Sequence, residues 1–385
     1  MKRYLDQQTR ADLSKKMVIL TGPRQVGKTT LSQQLIAELD QSLYLNYDIP
    51  AHRTILLNQS WSKSAPLLVF DEIHKMPDWK GWLKGVVDDN NANQNRTQQI
   101  LVTGSARMDT FRQAGKSLAG RYFKLRLHPI SVREYVEQTG ESADHALSHL
   151  LSRGGFPEPC LAPENMQADR WRSEYFSSLV REDVLEFSRI QEVNAMRVFA
   201  QTLRARVGSP LSIASIARDM AVSPKTLSSY LDILEALFIV FTVRPWHHNI
   251  ARSTLKQPKV YFYDTGLVQG DEGIKFENLV ACHLMKQTHW QQDSQGKSVD
   301  LHYLRTKDDA EVDFALSDTS AREPTLTHLI ECKLSDTQPH AALVRFARDW
   351  PKARAVQVVQ VECKEQDRSG IQILHAARWL QNLEV

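Results

Sequence analysis

Residues 22–29 read GPRQVGKT, between the apolar run MVIL (17–20) and the helix-forming TLSQQLIAEL (30–39). This G-x-x-x-x-G-K-[ST] pattern, with a strand before it and a helix after it, constrains the fold more than any other stretch of the chain. Gly22 and Gly27 let the backbone wrap a chain of phosphates, and the N-terminus of the following helix points amide groups at it. Lys28 would reach the β- and γ-phosphates, and Thr29 would ligate Mg²⁺. The expected nucleotide contacts are therefore Gly22, Pro23, Arg24, Gln25, Val26, Gly27, Lys28, Thr29 and Thr30, with ATP and Mg²⁺ as cofactors. The alternative is a Gly-rich turn that matches by chance.

Short apolar runs recur at MVIL (17–20), SLYLNY (42–47), PLLVF (66–70), QILVT (99–103) and YFKLRL (122–127), separated by polar or amphipathic stretches. That alternation predicts an α/β domain with a mainly parallel sheet. PLLVFDE (66–72) ends in two acids. Asp71 at the strand end would hold Mg²⁺ through water, and Glu72 would polarise the attacking water. A solvated strand end is the plain alternative. ILVTGSAR (100–107) also ends in polar residues, so Ser105 or Thr103 would sense the γ-phosphate, unless they serve ordinary turn chemistry. Arg121 precedes the next strand and is expected near the ligand edge of the sheet, contacting the γ-phosphate in cis or acting in trans on a neighbouring subunit. A surface arginine is the other reading.

The segments LTGPRQVGKTTL, LLVFDEIHKMPDW, LVTGSAR, LAGRYFKLRLHPISVREY and GGFPEP resemble, in this order, the bacterial and archaeal ATPases of the AAA type that carry a C-terminal DUF4143 domain. The resemblance spans nearly the whole chain. It implies an AAA+-like ATPase core and supplies no biological role.

From about 128 to 205 the pattern turns helical, with SEYFSSLVREDVLEF as a clear amphipathic example. LSIASIARDMAVSPKTLSSYLDILEALFIVFTVRPW (211–246) reads as helix–turn–helix followed by a strand pair, a winged-helix pattern. Ser223 is a natural N-cap, with Pro224 at the first helical position. The second helix exposes Lys225, Thr226, Ser228 and Ser229, types that can approach double-stranded DNA, although Asp232 and Glu235 flank them. RPWHHNIARSTLKQPK (244–259) holds four Lys or Arg and no acid, as suits a basic wing on phosphates. Packing between domains is the alternative use.

Near the C-terminus, IECK (330–333) puts Glu331 and Lys333 on one face of an apolar strand, as a structural ion pair or as part of an active site. Asp313 lies in the preceding strand EVDFAL, and Glu277 lies near the start of the amphipathic IKFENLVACHLMK (274–286). This order resembles the PD-(D/E)xK nuclease-like fold. In that reading Glu277, Asp313 and Glu331 would bind one or two Mg²⁺ or Mn²⁺ ions, and Lys333 would orient or deprotonate the attacking water. Glu311 shares the face of Asp313 and would compete as a ligand. ECK recurs at 362–364, where it is expected to end an edge strand. A nuclease fold that binds or scaffolds without cutting is the alternative.

The expected architecture is an α/β P-loop (AAA+-like) core at 1–135, a helical lid at 136–205, a winged helix at 206–252 and a mixed α/β nuclease-like domain at 253–385. Net charge is only +3, so any nucleic-acid surface must be local. The four scattered cysteines and the absence of an apolar leader or bilayer-length segment predict a cytoplasmic protein without a membrane partner. An in-trans Arg121 would require a homo-oligomer. The expected function is Mg²⁺-dependent ATP hydrolysis coupled to DNA binding and metal-dependent cleavage, or to a non-cleaving switch that binds DNA or protein.

Overall fold

The computed structural model describes residues 1–92, 98–104, 118–179, 193–247, 256–321 and 323–385. Contacts divide the chain into two units, Met1–His128 with Ala236–Phe238, and Pro129–Glu235 with Ile239–Val385.

In the first unit α1 (Asp6–Leu13) leads into β1 (Met17–Thr21), all five of whose residues are buried. Then come α2 (Lys28–Ala37), β2 (Leu43–Asn46), α3 (Pro50–Asn58), β3 (Leu67–Asp71), α4 (Trp79–Ala92), β4 (Gln99–Thr103) and β5 (Tyr122–Arg126). Among the described residues the strands lie in the order β2-β3-β4-β1-β5, every pairing parallel, as the strand rhythm predicts. Unbroken apolar runs such as MVIL and LLVF suit strands covered on both faces. Alternate residues Met17, Ile19, Leu68, Phe70, Ile100 and Val102 build one core face. Trp61 and Trp82 close on the Phe70 ring at centroid distances of 5.4 and 5.3 Å. Because the strands are parallel, their C-terminal ends share one edge, where the loop after β1 and the acids after β3 meet.

The second unit starts with α5 (Val132–Thr139), α6 (Ala143–Arg153), α7 (Pro157–Leu161), α8 (Asn165–Ser178), α9 (Val193–Arg204), α10 (Ile213–Asp219) and α11 (Pro224–Ala236). The amphipathic stretch 173–187 begins within α8, and residues 180–187 of it lie outside the described residues. Ser131 caps α5 reciprocally with Glu134: the Glu134 amide donates to Ser131 Oγ, and the Ser131 amide to Glu134 Oε2. Lys286 donates to Ser131 Oγ and to the Pro129 carbonyl and pairs with Glu134, all out of water. Between α10 and α11 the chain turns at Ala221, whose φ of 53° lies in the left-handed region. Ser223 then accepts from the Thr226 amide at 3.0 Å, the cap expected there.

The remaining elements are β6 (Val240–Pro245), β7 (Lys259–Phe262), α12 (Glu272–Gln295), β8 (Val299–Arg305), β9 (Glu311–Asp318), β10 (Thr325–Lys333), α13 (Ala341–Asp349), β11 (Arg354–Val359), β12 (Gln366–Arg368), β13 (Ile371–His375) and α14 (Ala376–Gln381). Their strands form one mixed sheet in the order β12-β13-β11-β10-β9-β8-β6-β7. Two features differ from the sequence reading. β6 pairs with β7 as a wing hairpin would, yet Arg244 and Pro245 also pair with His302 and Tyr303 of β8, so the hairpin continues the C-terminal sheet. The free backbone groups of β6 are satisfied this way. And β11 is not an edge strand: β10 and β13 flank it, and the second ECK lies beyond its end. Among the described residues no helix is long and apolar enough to cross a membrane.

Candidate functional site

The phosphate-binding loop begins where β1 ends. Gly22 has φ 144°, and a Cβ there would lie 2.3 Å from the Leu127 carbonyl oxygen, so only glycine fits. Gly27, at φ 102°, turns the chain into α2, whose first turn has no side-chain cap. The first turn of a helix presents amide groups of the kind that bind an anion. Arg3 Nη1 donates to the Val26 carbonyl at 2.7 Å and steadies the loop from beneath. Arg24, Gln25, Thr29 and Thr30 are exposed, while Pro23 and Val26 are buried. Lys28 Nζ donates to the Gly22 and Pro23 carbonyls at 3.0 and 2.6 Å, curled over the loop it would open to reach phosphate.

Asp71 stands at the same sheet edge because it pairs in register with Asn46 on one side and Thr103 on the other. Its Oδ1 accepts from Thr103 Oγ1 at 2.7 Å and from the Glu72 amide at 3.1 Å. Its Oδ2 accepts from the Tyr44 hydroxyl and from Asn46 Nδ2. The Tyr44 hydroxyl is also within hydrogen-bonding reach of Thr29, and burial, then Asp71, raise its pKa. Tyr44 and Asn46 were not predicted; the sequence signal was two polar positions on one face of SLYLNY, at the end of the strand beside β3. Thr103 orients Asp71, and Ser105 lies outside the described residues.

Glu72 sits at φ 54°, a backbone strain that clusters at functional sites. Burial, then the Asp71 charge, push its carboxyl above the usual range, with Lys75 and Lys28 working against them. His74 Nε2 lies 3.5 Å from Glu72 Oε2, and Lys75 Nζ 3.8 Å from it.

Arg121 requires a correction. Tyr122, the next residue, pairs in parallel with Met17 at the start of β1, whereas the phosphate loop follows Thr21 at its end. At about 3.3 Å per residue the two ends of the strand lie some 13 Å apart, so Arg121 is on the edge opposite its own loop. There its guanidinium grips Asp88 with bonds of 2.7 and 3.1 Å. The pairing speaks against the cis contact and fits the surface-arginine reading, and the in-trans role stays a proposal.

The C-terminal residues do converge. Antiparallel pairing of β9 with β10 brings Asp313 beside Glu331: the Asp313 amide reaches Glu331 Oε2 at 3.4 Å, and the Cys332 amide donates to Asp313 Oδ2 at 2.9 Å. Lys333 Nζ donates to Glu331 Oε1 at 2.7 Å, and His340 Nδ1 lies 3.0 Å from the same oxygen. Burial alone would raise Glu331, but His340 and Lys333 outweigh it and hold the carboxyl below its usual range. Asp313 is pushed well above its usual range by burial, then by Glu277 and Glu331.

A buried cation stands beside Glu277 and Asp313 of the expected metal set. Lys259 of β7 projects its ammonium among the acids, 3.3 Å from Glu277, 2.6 Å from Glu311 and 3.8 Å from Asp313. Among the described residues no group of His, Cys, Asp and Glu is arranged to hold a metal ion. The same lysine corrects the basic wing, because at 1% exposure it cannot touch a phosphate backbone. Residues 248–255 of that stretch lie outside the described residues. On α11, Lys225, Ser228, Ser229 and Asp232 are exposed and Thr226 is half-buried.

Residues 14–136 match the model of an AAA domain, 144–275 that of a domain of unknown function (DUF8612), and 272–379 that of a domain of unknown function (DUF4143). A Mycobacterium tuberculosis relative, described as an uncharacterized protein, is 30% identical over 354 residues, which covers 87% of this chain and 76% of the relative. One from Methanocaldococcus jannaschii is 23% identical over 334 residues, covering 78% and 72% respectively. Among solved structures, the Walker-type ATPase of Pyrococcus abyssi matches 69% of this chain and 94% of its own at 13% identity and a TM-score of 0.44.

Proposed function

This chain belongs to the family of AAA-domain ATPases that carry a C-terminal DUF4143 region, and from that premise we propose that it binds ATP with Mg²⁺, hydrolyses it, and uses the cycle to control DNA binding without cutting. The observation that carries the proposal is the meeting of the Lys28 loop with Asp71 and Glu72 at one edge of a parallel sheet.

In this reading the loop amides and the first turn of α2 hold the phosphates, and Lys28 exchanges its two loop carbonyls for phosphate oxygens. Thr29 and Asp71 hold the Mg²⁺, and Thr103, Tyr44 and Asn46 fix the orientation of the Asp71 carboxylate. Bound Mg²⁺ neutralises charge on the phosphates. Glu72 orients and polarises the attacking water, and must be ionised to do so.

The exposed Lys225, Ser228 and Ser229 of α11 are the proposed contact with double-stranded DNA. The C-terminal unit is read as a binding scaffold, because Lys259 and Lys333 already pair with its acids.

Arg121, remote from its own loop, would serve the nucleotide of a second copy. Phosphate release is then expected to rise per chain with protein concentration, and Arg121→Ala to stay low and flat. A wild-type rate independent of concentration would remove the in-trans role, and no release at any concentration would remove the ATPase proposal.

A further inference from the structure

We propose that the Lys259 ammonium is a resident cation, built into the position between Glu277 and Asp313 where a nuclease-like site of this pattern would otherwise take a divalent metal. The inference rests on the reading of the C-terminal unit as non-cleaving and gives it a physical cause.

Lys259 is 1% exposed, and an ammonium so buried is tolerated only when paired and hydrogen-bonded. Its Nζ approaches Glu311 Oε1 at 2.6 Å and Glu277 Oε1 at 3.3 Å, with Asp313 Oδ1 at 3.8 Å and the Tyr303 ring centroid at 5.4 Å. A divalent ion needs its oxygen ligands at about 2.0–2.6 Å, so it cannot share the space between Glu277 and Asp313 with this nitrogen.

The lysine is also held in place. Its residue pairs with Val243 of β6, and Pro210 bridges to it on the other side, so the strand cannot withdraw without breaking the sheet edge. The surrounding lone pairs are engaged as well: Tyr261 donates to Glu277 Oε1 at 2.7 Å, the Cys332 amide to Asp313 Oδ2, and Arg305 to Glu311 Oε2 at 2.9 Å. The result is a clasp between β7, α12 and β9 that works without metal.

The test counts bound Mn²⁺ by electron paramagnetic resonance on the full chain without nucleotide, in a Lys28→Ala background, for four forms: Lys259 intact, Lys259→Ser, and each with Asp313→Asn. The expected result is no Asp313-dependent Mn²⁺ with Lys259 intact. Lys259→Ser should gain one Mn²⁺ per chain, lost again on adding Asp313→Asn. Asp313-dependent Mn²⁺ with Lys259 present would overturn the proposal, and so would a folded Lys259→Ser chain that gains none. Should Lys259→Ser fail to fold, the comparison of intact Lys259 with and without Asp313→Asn still decides. DNA nicking by the wild type is scored separately. Mn²⁺ at this site without nicking overturns the Lys259 assignment alone, whereas nicking overturns the non-cleaving reading on which it rests.

Discussion

Lys28→Ala should lower ATP turnover about 10²–10³-fold and leave the fold in place. The ammonium rests on the Gly22 and Pro23 carbonyls, which a phosphate would replace as its partners. Removing one preorganised group of this kind costs about 10²–10³ in turnover. The loop itself survives the change, because Gly22 is fixed by its approach to Leu127 and Val26 by Arg3. Alanine is also a good residue for the first turn of α2. Phosphate release and thermal melting, measured on the same preparation, separate the two effects. A variant within a few-fold of wild-type turnover would exclude Lys28 from the phosphate site.

The second large effect concerns stability. Lys286→Met strands the Glu134 carboxylate, since both side chains are only 3% exposed. Breaking a buried pair from one side costs about 3–5 kcal/mol, because the charge left behind has lost its compensation. Here the loss spreads, since Lys286 also holds Ser131 and the Pro129 carbonyl at the start of α5. The neighbouring His283 adds to the same junction. Its Nδ1 donates to the Leu279 carbonyl, its Nε2 accepts from the Val132 amide, and burial pulls its pKa down to about 4, so it stays neutral. Denaturant unfolding followed by tryptophan fluorescence should show an earlier midpoint for Lys286→Met. The double variant with Glu134→Gln should recover part of the loss, because it removes the unpaired charge and keeps the cap acceptor. An unchanged midpoint in Lys286→Met would mean that the pair contributes nothing net.

What could be read from the sequence follows from how local each feature is. The phosphate loop is a short-range pattern, and the strands of the first unit are continuous apolar runs, so both are legible in the sequence. Arg121 is expected at the ligand edge because its position before β5 says nothing about direction; that needs the parallel register of Tyr122 with Met17. Tyr44 and Asn46 reach Asp71 only through the pairing of β2 with β3. Lys259 reads in the sequence as one of several basic residues in a wing, and only the packing of β7 against α12 and the sheet directs it inward to Glu277, Glu311 and Asp313. Its acids are plain in the sequence, but a group of acids there reads as a metal site until the cation paired with it is located. The join of β6 to β8 was likewise invisible, since it links segments on either side of the long helix α12.

The most direct test of the central claim is single-turnover ATP hydrolysis with Mg²⁺ by the wild type and by Glu72→Gln, with ATP binding measured on both. Binding should be similar, with hydrolysis slowed about 100-fold or more when the group that polarises the water is lost. Hydrolysis by Glu72→Gln at the wild-type rate, or none by the wild type under conditions where it binds ATP, would contradict it.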